Sequence, residues 1–515
     1  MPAGKQFSDY IERAVALTVS LLTVIPAATA QTLVPLETPP PLSGAGLRSP
    51  EGSPGTTADC DVSTLTQGKD DLRRAAKAGD PGAAQLYRQR LQRQATQLNR
   101  CRQSQWPRRQ AIWLRLYPCD RDPALLAAVF DRIQDLGYNQ VYVEVFFDGQ
   151  VLLPAADNPT VWPAVVDTPG AERVDLLAEA IAAGRERGIS VYAWLFSLNF
   201  GYHYSLRSER LSELARNGRN QTSLDLLPMS AQVFVDPYSA VARQDYQALI
   251  RAVLARRPDG LLFDYIRYPR PTGRDSVVQN VRDLLIYGPA ARQAWLARAK
   301  GPEEQQLRLR FLDSGTLTAA EVRGALPALD RFTPELLKGV TPEERSGADL
   351  EGLVQQLRWN LWQAALDHAR QGVIDWLTLA AAPAQQLGIA TGAVFFPFGN
   401  QTVGQGGFDA RLQPWDRFPA GIERHPMSYA ICGDRADCIL DEVKRVQGAL
   451  PAGTLLQPAL AGVPGQTYAD HLPLEQQMAA LAALPNRPDA VSHFAFAWMF
   501  PEWERQRQQC RNPRR

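Results

Sequence analysis

The 515-residue chain carries almost no charge of one sign in excess: 55 Lys and Arg stand against 54 Asp and Glu, for a formal net charge of +1. A dedicated nucleic-acid binder shows a basic surplus, so no nucleic-acid partner is expected. The sequence has no CxxC and no His/Cys spacing of the zinc type, so neither a metal nor a cofactor is expected. No apolar run reaches the ~20 residues that a membrane-spanning helix needs. No Gly-rich phosphate loop follows the first strand-like segment, which removes the usual ligand signature of a doubly wound sheet. What remains is 45% hydrophobic and 21% charged, the composition of a folded globular protein.

The N-terminus reads as an export signal over 1–30. Lys5 and Arg13 precede the apolar run Ala14–Ile25, Pro26 breaks it, and Ala28-Thr29-Ala30 supplies small residues before Gln31. Asp9 and Glu12 are untypical there, and an uncleaved anchor is the alternative. Residues 31–57 hold six Pro and four Gly and read as an extended linker. Residues 58–108 form a polar helical extension punctuated by Asp80-Pro81-Gly82. Its basic surplus reads as a solvated face or, more sharply, a partner-binding or glycan-binding arm. The protein is therefore expected in the periplasm, cell envelope or outside the cell, with no membrane span once the signal is removed.

From Arg109 to about residue 505 the pattern alternates. Strand-like runs occur at 111–117, 140–147, 190–197, 260–268, 389–398, 422–429, 455–463 and 491–499. Amphipathic helical stretches separate most of them, including a long one at 353–387 that Pro383 stops or bends. Eight such units predict a (β/α)8 barrel with helices outside a parallel sheet, and a doubly wound sheet is the runner-up. Residues 270–350 are an insertion after strand four, placed to cover the barrel mouth. Residues 506–515 form a C-terminal tail. In strand two, Tyr142, Glu144 and Phe146 share one face and Val141, Val143 and Val145 the other. The aromatic face is assigned to the lumen.

Barrel enzymes place their chemistry at the C-terminal strand ends. Those ends offer Glu144 and Asp148 on strand two, and Trp194, Asn199, His203 and Tyr204 on and after strand three. Strand four adds Asp264, Tyr265 and Arg267, strand six His425 and Tyr429, and strand eight Trp498, Glu502 and Trp503. Carboxylates among aromatics suit sugar chemistry, in which one carboxyl acts as acid and another as base or nucleophile. Competing readings stay open. Asp264 is either catalytic or one half of a structural ion pair with Arg267. Glu144, in an apolar run, is costly unless paired. His203 and His425 also suit loop or core positions, and the strand-end aromatics suit the core as well as a binding platform.

The segment Asp259–Pro269, with FDYIRYP at its centre and Asp236-Pro237 upstream, resembles the glycosyl-hydrolase-like family 10 proteins of bacterial envelopes. Pro426-Met427-Ser428-Tyr429 and the Leu357-Arg358 pair are similar to further parts of that pattern. The resemblance implies a glycan-cleaving (β/α)8 barrel, with peptidoglycan strands among the candidate substrates. Against the wider barrel-glycosidase pattern, strands five and seven end without a carboxylate. The reading is an exported glycoside hydrolase with a polysaccharide substrate, Asp264 and Glu144 catalytic and the other strand-end residues binding. The alternative is a non-catalytic glycan-binding envelope protein. The six cysteines are expected to pair as Cys60–Cys101 across the helical extension, Cys119–Cys510 between the ends of strands one and eight, and Cys432–Cys438 in the loop after strand six.

Overall fold

The computed structural model describes residues 68–509. The segments expected to be a signal (1–30) and a linker (31–57), together with Cys60 and Cys510, lie outside the described residues.

Eight parallel strands form the barrel: β1 (Arg109–Leu114), β2 (Gln140–Phe147), β3 (Ser190–Phe196), β4 (Gly260–Asp264), β5 (Ala390–Phe395), β6 (Glu423–Pro426), β7 (Ala459–Ala461) and β8 (Ala490–Phe494). Hydrogen bonding runs continuously in the order β6-β5-β4-β3-β2-β1-β8-β7. The remaining seam closes through parallel bridges, Arg424 to Leu456 and Met427 to Ala459. The protein is a (β/α)8 barrel.

Several strands are shorter than their apolar runs predict. The fourth stops at Asp264 because Tyr265 turns to a φ of 52°. The eighth stops at Phe494, and Phe496–Met499 coil into a helical turn. Lumen-facing rings fill the interior. Trp113 packs edge-on against Tyr142 and Trp194, and Tyr142 against His425. Two glycines make room for them: a Cβ on Gly260 would lie 2.4 Å from the Tyr192 ring, and one on Gly392 2.5 Å from His425 Nε2. The parity expected of β2 holds for Tyr142 and Glu144 but fails for Phe146. A register shift between Glu144 and Phe146 turns that ring outward against Trp162, Phe200 and Tyr246.

The helical extension folds as α1 (Lys69–Lys77) and α2 (Pro81–Ser104). Asp80 caps α2 by accepting from the Ala83 amide at 3.0 Å. The extension is not simply solvated. Buried Lys69 donates to Gln94 and pairs with Asp135, while Arg73 and Arg187 converge on Asp131. This ion network joins the extension to α3 (Pro123–Asp135) and to Arg187, just after α4 (Leu176–Glu186). Helix α5 (Ala240–Leu254) precedes β4, and Ser239 caps its N-terminus. Helix α6 runs unbroken from Leu350 to Gln386, with Pro383 inside it. Its first turns bury Leu353, Leu357 and Leu361 in one core with Leu307, Phe311, Val322 and Leu329 of the insertion. Within the insertion, Val277–Val278 join Thr402–Val403 and Gly407–Asp409 in a small antiparallel sheet after β4 and β5. Asp236, of the Asp-Pro pair, accepts from the Tyr238 and Ala291 amides and so ties the insertion to the α5 entry.

Candidate active site

Trp113 and Arg115 alternate on and after β1, so Arg115 follows Trp113 onto the lumen side at the C-terminal end. There its guanidinium pairs with Glu144 and stacks 4.3 Å over the Phe147 ring. Glu144 is fully enclosed, and its Oε1 has no hydrogen-bond partner. Burial pushes its carboxyl up to about 7, even with Arg115 pulling the other way. Sequence reasoning considered a partner for Asp264 and found none for Glu144. The structure reverses this: Glu144 has the cation, and Asp264 makes no ion pair among the described residues.

Asp264 ends β4 almost wholly buried. Its Oδ2 accepts from Trp194 Nε1 at 3.1 Å, and its Oδ1 from the Tyr265 amide at 2.6 Å. Burial raises its pKa, and these two donors together with Arg267 oppose the rise. Arg267 does not reach the carboxylate. It donates to the Tyr268 carbonyl and lies over the rings of Tyr265, at 4.5 Å, and Phe396. Arg411, absent from the sequence reading, stacks 4.3 Å over the other contact ring of that group, Phe396, and is held by Asp409.

The third acid is Asp148. It follows β2 at a φ of 47°, exposed to solvent, and its carbonyl faces His203 Nδ1 at 3.3 Å. Burial among its neighbours raises its pKa; Arg115 and His203 counter this. The β2 and β3 loops press together here, since a Cβ on Gly201 would fall 2.0 Å from the Gly149 nitrogen. Tyr265, in sequence next to Asp264, packs 4.3 Å from the Phe196 ring and under the Arg267 guanidinium. Burial raises its hydroxyl pKa, Arg267 opposes, and Asp264, Asp148 and Glu144 each push it further up.

The remaining predicted residues divide. Tyr429 and Trp498 stand on the β6 and β8 side of the mouth, Tyr429 close enough to Asp264 to feel its charge. Glu502 is exposed on the C-terminal helix Pro501–Gln509, and Trp503 packs on Phe496 and Phe500. Three residues do not join the acids. Asn199 is buried and uses its Oδ1 on the Gly201 and Val233 amides. Tyr204 packs on Trp162 and Phe200 and donates to Asp245 of α5. His425 sits deeper in the lumen with Tyr142 and Glu423. Their strand-end positions were visible in sequence; the direction of each side chain was not.

Cys432 and Cys438 are joined by a disulfide, with Cα atoms 6.1 Å apart. Cys101 and Cys119 are each disulfide-bonded. Of the partners expected for these two, Cys60 and Cys510 lie outside the described residues. Among the described residues the one His/Cys/Asp/Glu grouping tight enough to hold a metal is Cys432, Asp437 and Cys438, whose sulfurs are already bonded to each other.

No protein-family model matches the chain, and no curated protein does. The resemblance carried by the FDYIRYP segment therefore rests on its motifs alone. Solved structures with a similar fold include the GH20 catalytic modules of the pneumococcal exo-β-D-N-acetylglucosaminidase StrH, at 11% identity and a TM-score of 0.36, over 75% of this chain and 77% of that one. The GH20 β-N-acetylhexosaminidase of Streptomyces coelicolor A3(2) matches at 11% identity and a TM-score of 0.35, over 76% of this chain and 58% of that one. The GH20 exo-β-N-acetylglucosaminidase of Vibrio harveyi matches at 10% identity and a TM-score of 0.35, over 76% and 50%. Likenesses this distant carry no argument about chemistry, which has to come from the site itself.

Proposed function

We propose that the protein is an exported glycoside hydrolase acting on a polysaccharide, with peptidoglycan glycan strands as the first candidate. The observation that carries this reading is that Trp194, in register with Glu144 across β2 and β3, donates to Asp264 at 3.1 Å, which brings the Glu144 and Asp264 strand ends together at the C-terminal mouth of the barrel, with Asp148 just beyond β2. Asp264 is the catalytic carboxylate, oriented by Trp194 and the Tyr265 amide. The second carboxylate is the one with access to a substrate. Glu144 is enclosed, whereas Asp148 is open to solvent. Asp148 and Asp264 thus flank the scissile bond as acid and base or nucleophile, and the Glu144–Arg115 pair beneath sets the local field. The insertion, through its small sheet beside β4 and β5, forms a wall of the substrate cleft.

Export is supported by the N-terminal signal pattern and by the disulfides, which persist in oxidising compartments. No helix among the described residues is long and apolar enough to cross a membrane. The second reading, a non-catalytic glycan binder, is favoured by the enclosure of Glu144 and by carboxylate-free ends on β5 and β7. Incubating the mature protein with purified peptidoglycan and a panel of β-glucans separates the two. New reducing ends support hydrolysis, and binding to the same polymers without cleavage supports the alternative.

A further inference from the structure

The mouth has a second, aromatic wall on the β6, β7 and β8 side, whose one neighbouring carboxylate in the hairpin is Asp470. Tyr429 follows β6, Tyr468 and His471 follow β7, and Trp498 follows β8. Trp498 packs against Tyr468 at 5.0 Å between ring centroids, against Phe494 at 5.4 Å and against His471 at 6.0 Å. Tyr429 closes the group against Phe494 at 5.9 Å and His471 at 6.4 Å. Tyr429, Tyr468 and Trp498 are half-buried and His471 is buried, and none of their polar atoms is sealed from solvent without a partner. Here the Tyr429 and Tyr468 hydroxyls, both His471 ring nitrogens and Trp498 Nε1 make no hydrogen bond to the described residues.

The backbone that presents two of these rings is strained. Tyr468 and His471 exchange both main-chain hydrogen bonds, at 3.1 and 2.9 Å, across a two-residue hairpin. Its central residues, Ala469 and Asp470, take φ values of 47° and 61°. Such a turn favours Asn-Gly, and Ala at a positive φ is unfavourable. Strain of this kind persists where the surroundings over-determine it, and it concentrates at ligand clamps. The hairpin sets Tyr468 and His471 side by side against Trp498. Among the described residues no basic side chain stacks on or bonds to the four rings, and burial lowers the His471 pKa, with Asp470 opposing. The wall therefore offers apolar faces and neutral hydrogen-bonding groups but no cation for an acidic sugar.

We infer that Tyr429, Tyr468, His471 and Trp498 form a subsite for a neutral pyranose unit of the glycan, stacked on the rings and hydrogen-bonded by their free polar tips. This rests on the glycan reading above and adds the subsite and the class of sugar it takes.

The test uses the mature full chain carrying Asp264→Asn, so that binding is read without turnover. Probes are purified peptidoglycan, chitohexaose, cellohexaose and polygalacturonate, followed by co-sedimentation or tryptophan fluorescence. At least one neutral probe should bind, and bind better than polygalacturonate. Tyr468→Ala and Trp498→Ala should each weaken that binding about tenfold or more. His471→Phe, which keeps a ring and removes the nitrogens, should weaken it severalfold. Replacing Ala469-Asp470 by Asn-Gly relieves the turn and should hold affinity within about twofold while raising the melting temperature. If no probe binds the parent, the glycan reading itself fails. If a neutral probe binds and the ring variants, folded by circular dichroism, bind as the parent does, the subsite is overturned and the glycan reading stands. Preference for polygalacturonate would overturn the neutral-sugar assignment.

Discussion

Glu423 and Glu144 both project into the barrel, at opposite ends, and the protein treats them in opposite ways. At the floor, Glu423 has Arg109 at 3.2 Å, the Tyr192 hydroxyl at 3.4 Å and His425 Nε2 at 3.4 Å. Burial alone would raise its pKa, but His425 and Arg109 outweigh burial and hold it below the ordinary glutamate value. At the mouth, Glu144 keeps one oxygen unpartnered and is pushed up to about 7, and Asp264 and Asp148 are raised as well. A carboxylate whose neighbours satisfy it serves the fold. A cluster of carboxylates left short of partners persists only where something other than stability keeps it.

The largest expected effect breaks this contrast directly. Asp264→Asn keeps the size but removes the charge and leaves one acceptor for two donors, Trp194 Nε1 and the Tyr265 amide, and activity should fall by roughly 100-fold or more, the scale of a lost acid–base group. The matching floor variant, Glu423→Gln, should leave activity within about threefold and lower stability by about 1 kcal/mol, because it loosens a partly exposed ion pair. Turnover assays and chemical denaturation of both variants decide it. Equal losses of activity from the two ends would show that the contrast has no functional meaning.

The next effect is on pH dependence, and its sign differs at the two ends. The folded pKa of Glu144, about 7, lies above its ordinary 4.5. Its contribution to stability is complete below about 4.5 and is lost as pH rises through 7, up to the order of 3 kcal/mol. For Glu423 the folded value is depressed, so its contribution is present above the ordinary value and lost as pH falls through the folded one. Glu144→Gln should therefore flatten the stability profile between about pH 4.5 and 7, and Glu423→Gln should flatten only its acid limb. Thermal melts from pH 3 to 8 read both. If Glu144→Gln leaves the profile unchanged above pH 5, the enclosed carboxyl is not raised.

The same contrast explains what the sequence made legible. The barrel was readable because most strands are buried apolar runs and most runs are followed by a helix with its own stop, such as Gly137, Gly188 or Gly388, the exceptions being the polar β6 and the stretch between β5 and β6, which holds no α-helix. The acids were readable because Glu144 and Asp264 interrupt such runs at their C-terminal ends. Orientation was not readable. One register shift turned Phe146 outward, and a loop turned Tyr204 toward Asp245. Pairing was not readable: Arg115, which meets Glu144, lies beyond another strand with no local sign, whereas Arg267, the sequence neighbour of Asp264, bonds the Tyr268 carbonyl instead. Tyr468 and His471 were hidden because they lie on an irregular hairpin beyond a three-residue strand. Nothing in the composition of that segment separates it from an ordinary loop.

The smallest effect concerns the loop between the two walls of the mouth. Cys432 and Cys438 close a short ring after β6, just beyond Tyr429 and at the start of α7 (Asp437–Ala449). A ring this short removes little freedom from the unfolded chain, so Cys432→Ser with Cys438→Ser should destabilise by roughly 2 kcal/mol or less. Because Tyr429 reaches toward Asp264 from the same loop, the double variant should raise KM more than it lowers kcat. The bridges expected from Cys101 to Cys60 and from Cys119 to Cys510 would span longer stretches of chain and should matter more. Non-reducing peptide mapping of the mature protein is expected to find Cys101 joined to Cys60 and Cys119 to Cys510. The opposite pairing would mean that the chain ends approach the barrel by a different route from the one proposed. An unchanged KM in the double serine variant, with its fold intact, would show that Tyr429 is held by the aromatic wall and not by the loop that carries it.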